Sequence, residues 1–264
     1  MYLAKYALEI LKTPRAADKA ALTFEVTAKW RDGGYEGLGS ATPPDRPARP
    51  EAPPLLLPQD MPKRKINRGT LGRIALLHAL AHIELNAIDL AWDLVIRYPH
   101  ENMPDSFIND WIQVADDEAR HFLMLEERLY ELDSYYGALP AHDGLWKAAE
   151  DTAYDIKARL AIVPMILEAR GLDVTPATVV KLRSVDDDKS ADLLQTIHDE
   201  EIDHVLAGKK GFDYLCARDE TDPVSTWQAL VKKHFKGGVK GPFNVESRNK
   251  ANFGPEFYNP ESAS

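Results

Sequence analysis

The feature that most constrains this chain occurs twice: an isolated glutamate followed, 33 or 34 residues later, by a Glu-x-x-His quartet. In the first copy Glu84 precedes Glu118-Ala119-Arg120-His121 by 34 residues, and in the second Glu168 precedes Glu201-Ile202-Asp203-His204 by 33. Residues three apart on an α-helix lie on one face about one turn from each other, so a glutamate and a histidine at that spacing can ligate neighbouring metal ions. Four helices that each give one carboxylate, two of them also a histidine, make a dinuclear site in a bundle core. The pattern predicts an all-α fold built on a four-helix bundle. Its two metal ions would be held by Glu84, Glu118, His121, Glu168, Glu201 and His204.

The neighbours of these acids separate an inward glutamate from a solvated one. At helical offsets around Glu84 stand Leu77, Leu80, Ala81, Ala87, Ile88 and Ala91, and around Glu118 stand Trp111, Val114, Ala115, Phe122 and Leu125. Glu201 has Leu194, Ile197, His198, Val205 and Gly208 at the same offsets, and upstream of Glu168 lie Ala161, Pro164 and Met165. An isolated carboxylate in such surroundings costs on the order of tens of kcal/mol by Born solvation, so it protonates or finds a cation. Two divalent ions would neutralise four inward carboxylates. A single Glu-x-x-His match is common by chance on a solvated helix; two in register, each with an upstream glutamate on an apolar stripe, are not.

Other residues near the motif have weaker claims. Asp117 and Glu200 immediately precede the two quartets and are candidate acceptors for the histidine N–H groups, with surface charge as the alternative. Glu200 also lies four residues before His204 and competes with Glu201 as ligand; the register with Glu118 favours Glu201. His198, one turn before Glu201, is a candidate to line the cavity or to be a hydrogen-bonded interior histidine. His78 and His82 share a helix face, but His82 and Glu84 are two apart and diverge by about 160°. Polar contacts between elements are the expected role of both. Pro164 removes a helical hydrogen bond one turn before Glu168 and predicts a kink there. Cys216 reads as buried packing.

Composition and punctuation organise the rest. The chain has 264 residues, a net charge of -10 and one cysteine, which argues against a nucleic-acid or membrane coat and excludes an intrachain disulfide. With no leader pattern and no run that approaches a membrane span, the expected location is the cytoplasm. Residues 1–32 read as an N-terminal helical segment broken at Thr13-Pro14, and 33–66 as a strap or linker with eight prolines between Pro43 and Pro62. Residues 67–220 read as the bundle, with helices over about 70–97, 104–135, 144–170 and 187–217, and 221–264 as a C-terminal helix and tail. Gly171 is expected to close the third helix, Thr175-Pro176 to start a short one, and Leu55, Leu56 and Leu57 to dock the strap. No strand is expected.

The runs His78-Ala-Leu-Ala-His-Ile-Glu84-Leu-Asn-Ala-Ile-Asp89, Leu167-Glu-Ala-Arg-Gly-Leu-Asp173, Asp199-Glu-Glu-Ile-Asp-His-Val205 and Gly241-Pro-Phe-Asn244 resemble a bacterial ferritin-like family, domain of unknown function 455. The resemblance covers roughly residues 45–255. More distantly, Asp117-Glu-Ala-Arg-His121 looks like the metal-binding element of di-iron carboxylate monooxygenases and ribonucleotide reductase small subunits. In those relatives the second pair is commonly preceded by Asp. Here the position is Glu200.

Oxygen and imidazole donors without thiolate suit iron, manganese or a mixed pair; zinc would satisfy the geometry without redox chemistry. The leading expectation is an oxidoreductase that activates dioxygen to oxidise or hydroxylate a small organic substrate, with an external electron donor and room for a homodimer. Three alternatives stand beside it. A ferroxidase or peroxide scavenger is one, although the chain has no Cys-x-x-Cys module. A tRNA-modifying hydroxylase is another, disfavoured by the acidic balance. The last is a non-enzymatic bundle stapled by its metals.

Overall fold

The first helices follow from a proline break and an apolar stripe. Thr13, held extended by the following Pro14, separates α1 (Leu3–Lys12) from α2 (Ala16–Arg31). In α1 the buried residues are Leu3, Ala4, Ala7, Ile10 and Leu11, a helical stripe that packs on the long helix α3 (Thr70–Arg97). α2 buries a polar row instead, Lys19, Thr23 and Thr27 at four-residue spacing. Each member has a partner: Lys19 pairs with Asp89, Thr23 accepts from the Trp92 indole at 3.2 Å, and Thr27 bonds Asp116.

The computed structural model describes residues 1–57, 60–61, 66–67 and 69–259. Among them helix predominates, and strand is confined to β1 (Leu55–Leu56) and β2 (Ala141–His142), which pair in parallel. These two dipeptides correct the expectation of no strand. They form because the strap runs alongside the segment after α4 (Asp105–Glu131), where Ala141 N–H donates to the Pro54 carbonyl at 3.1 Å. Parts of the expected strap, 58–59 and 62–65, and of the expected tail, 260–264, lie outside the described residues.

The chain divides into two units, Met1–Lys147 and Ala148–Ser264, and each contains one copy of the doubled motif. In the first unit α3 packs against α4. The window that makes α3 long and apolar enough to cross a membrane is mostly buried within the protein, as in a core helix. The strap is held by its backbone: Arg97 donates to the Pro44 carbonyl at 2.8 Å, the Trp146 indole to Asp45 at 3.0 Å, and Lys19 to Ala48 at 3.2 Å. Arg49 reaches Asp89 at 2.6 Å. The leucines expected to dock it do not: Leu55, Leu56 and Leu57 are 44%, 39% and 62% exposed.

The expected third helix is broken into four elements, α5 (Gly144–Asp151), α6 (Ile156–Ile162), a π-helical turn (Val163–Glu168) and the start of α7 (Ala169–Arg183). Pro164 has no N–H for the Leu160 carbonyl, so the α-ladder breaks and widens into the π turn. The Trp227 indole donates to the adjacent Ala161 carbonyl at 3.2 Å. α7 then continues through Gly171 and Pro176, correcting both expected boundaries. Buried Leu172, Val179 and Leu182 bind α7 to α8 (Asp188–Arg218), and the Leu172 carbonyl left over by Pro176 accepts Asn244 Nδ2 at 3.1 Å. α9 (Pro223–His234), α10 (Val245–Lys250) and α11 (Pro255–Tyr258) complete the second unit.

Candidate metal centre

Two antiparallel helices position the first half-site. Glu84 lies mid-way along α3, and Glu118 and His121 lie mid-way along α4. The three are 4%, 0% and 0% exposed, so both carboxylates are taken out of water. Nδ1 of His121 lies 3.5 Å from a Glu118 oxygen and 3.7 Å from a Glu84 oxygen, too long for hydrogen bonds. Each residue offers a ligand atom, and these atoms lie within 4.8 Å of one another. Two ligands on one ion at bonds of about 2.1 Å stand roughly 3.0–3.4 Å apart, so the turn is already close to the spread that a metal imposes. Two buried carboxylates side by side repel, and a divalent cation relieves that repulsion.

The second unit repeats the turn. Nδ1 of His204 lies 3.5 Å from a Glu201 oxygen, the same separation as in the first, and both residues are buried on α8. Glu168 closes the π turn. A Cβ built on Gly208 would meet Cβ and Cγ of Pro164 at 2.5 Å, so the proline ring sits against bare backbone on α8. α7 and α8 are joined by the short turn 184–187 and run antiparallel.

The residues with weaker claims have identifiable partners. Asp117 accepts from Arg120 at 2.8 Å and from Gln113 at 3.1 Å. Glu200 is half-buried beside the buried Glu201. His198 is buried between Asp199, 3.2 Å from its Nδ1, and the Ser247 hydroxyl, 3.4 Å from its Nε2. His78 accepts from the Gly137 N–H at 2.9 Å and stacks on Tyr136, whose hydroxyl lies 2.8 Å from His82 Nδ1. These two histidines therefore anchor the chain after α4. Burial, with Arg49 adding to it, pushes His82 down to about 3, so its ring is neutral. Cys216 is buried, and burial raises its thiol.

Sequence reasoning passed over Asp89, Asp93 and Arg49. Asp89 and Asp93 lie on the helix that carries Glu84; Asp89 is fully buried and holds Lys19 of α2 and Arg49 of the strap, and Asp93 holds Arg97 at 2.6 Å. The available signal was a pair of acids four apart on an otherwise apolar helix.

The family described as "Protein of unknown function (DUF455)" matches residues 12–259. The chain belongs to this family. An "Uncharacterized protein" of Haemophilus influenzae is 38% identical over 211 residues, covering 78% of this chain and 73% of that one. No solved structure matches. Family membership itself carries no activity.

Proposed function

We propose that the two repeated ligand sets, Glu84, Glu118 and His121 in the first unit and Glu168, Glu201 and His204 in the second, bind two metal ions in the manner of ferritin-like proteins. On this reading the protein is a non-haem oxidoreductase that uses dioxygen to oxidise or hydroxylate a small organic molecule. The observation that carries the proposal is the repeated turn: in each unit a buried glutamate oxygen lies 3.5 Å from a buried histidine Nδ1. Iron, manganese or a mixed pair, when bound, supplies the one-electron chemistry that zinc lacks.

The roles of the chain's own residues follow from their positions. His121 and His204 give a lone pair at Nδ1, which requires the ring proton to sit on Nε2. The four glutamates supply the negative charge that two divalent ions need. Leu77, Ala81, Ile88, Phe122 and Leu125, all fully buried, exclude water around the first half-site. Six protein ligands do not saturate two octahedral ions, so positions remain for oxygen and substrate. One cysteine provides no built-in redox pair, so reduction calls for an external donor.

The test is protein purified without added metal, analysed for metal, then reduced anaerobically and exposed to oxygen. An absorption change that the Glu168→Ala variant loses supports the reading. Protein that holds only zinc, or whose reduced iron form is inert to oxygen and peroxide, leaves the metals as structural staples.

A further inference from the structure

The second unit contains a cleft of about 310 Å³ lined by Ile166, Leu167, Arg170, Lys236, Lys240 and Arg248, together with the loop 235–239. Four of these side chains are cationic, and no acid is among the described lining residues, in a chain whose net charge is -10. Two of the sequence runs singled out above build it. Arg170, three residues before Asp173, donates to the carbonyls of Lys240 at 3.1 Å and Pro242 at 3.2 Å, while Asp173 accepts from Asn244 N–H at 2.9 Å.

Arg248 is the deepest of the four. It is 1% exposed, its Nε and Nη2 bond Asp173 at 2.8 and 2.7 Å, and its guanidinium lies 4.4 Å from the Tyr258 ring and 5.1 Å from those of Phe243 and Phe253. Its Nη1 is buried without a hydrogen-bond partner among the described residues. A buried guanidinium N–H left unmet costs roughly 1–3 kcal/mol, more for a charged group. The aromatic cage and Asp173 fix the plane of this guanidinium, so its charge is held in place beside the cleft. Asp173 offsets one of the four charges, and the surplus suits a dianion better than a single carboxylate.

We propose that this cleft binds a phosphate-bearing small molecule. Arg248 contributes a fixed positive charge behind the cleft wall, and Arg170, Lys236 and Lys240 supply the hydrogen-bond donors. Ile166, Leu167, Phe235 and Val239 provide an apolar wall for the rest of the ligand. Leu167 is the sequence neighbour of Glu168, so on the redox reading the bound molecule is the substrate. The binding site itself does not depend on that reading.

Isothermal titration of the full chain with inorganic phosphate at constant ionic strength tests it, before and after chelator treatment because phosphate also ligates iron. Saturable binding below about 10 mM is expected in both preparations. It should weaken about tenfold or more in Lys236→Ala/Lys240→Ala, whose exposed positions leave the fold intact, and be unchanged in Lys181→Ala/Lys189→Ala. Absence of saturable binding overturns the proposal, as does binding that vanishes with the metal or survives in Lys236→Ala/Lys240→Ala. Metal content measured on the same samples reports on the metal centre separately, so either idea can fail without the other.

Discussion

Gly208→Ala isolates the contact that seats the π turn against α8. The new Cβ would stand 2.5 Å from both Cβ and Cγ of Pro164, where carbon pairs settle at about 3.5–4.0 Å. Relief needs a displacement of about 1 Å, and a proline ring cannot rotate out of the way. Overpacking of this kind costs about 1–3 kcal/mol, against about 1 kcal/mol that alanine gains over glycine within a helix. The net loss is then roughly 0–2 kcal/mol, or a few degrees in melting temperature for a chain of this size. Stability alone decides little, so the informative readout is metal. Moving Pro164 moves Glu168 at the end of the same turn, and bound metal per chain should fall. Gly171→Ala is the matched control, because a Cβ there meets nothing within 4 Å; it should gain about 0.5–1 kcal/mol with metal unchanged. Thermal melts and metal analysis of both variants check this. If Gly208→Ala melts higher, as Gly171→Ala should, and keeps its metal, the contact does not position Glu168.

Asp89→Ala strands the fully buried Lys19 and should cost about 3–5 kcal/mol by denaturant unfolding, with Asp89→Asn losing less. Tyr136→Phe removes the hydroxyl 2.8 Å from His82 and should cost about 1–2 kcal/mol while leaving metal content unchanged, which separates the anchoring histidines from the ligands. Asp219 accepts from Arg218 and Lys157, which hold its carboxyl down at about 2; its folded value is below its unfolded one, so this stabilisation is complete above about pH 4 and is lost as pH falls through 2. A carboxyl titration by NMR should show Asp219 moving part-way back up in Lys157→Ala.

The burial and clustering of Glu84, Glu118 and His121 were legible because a helix repeats every 3.6 residues: each announces its inward direction by the apolar residues one turn away. The helix ends were legible where a proline breaks the ladder without compensation, as at Thr13-Pro14. Gly171 and Pro176 misled because their effect depends on distant residues. The open space at Gly171 makes it harmless, and the carbonyl that Pro176 releases is taken up by Asn244, 68 positions further along the chain. The strap misled for a related reason. Its leucines looked like anchors, but it is Arg97, Trp146 and Lys19 that hold its carbonyls, and no local pattern encodes those partners. The cation-lined cleft was invisible for the same cause, since Asp173 and Arg248 meet only through the fold.

The central claim is that the doubled Glu-x-x-His pattern is a two-metal site, and metal stoichiometry tests it most directly. Protein produced with iron and manganese supplied and purified without chelator should carry close to two ions per chain by mass spectrometry. Glu118→Ala and Glu201→Ala should each lower that number while keeping their helical circular dichroism. A folded wild-type chain that binds no transition metal, or variants that retain both ions, would contradict the account.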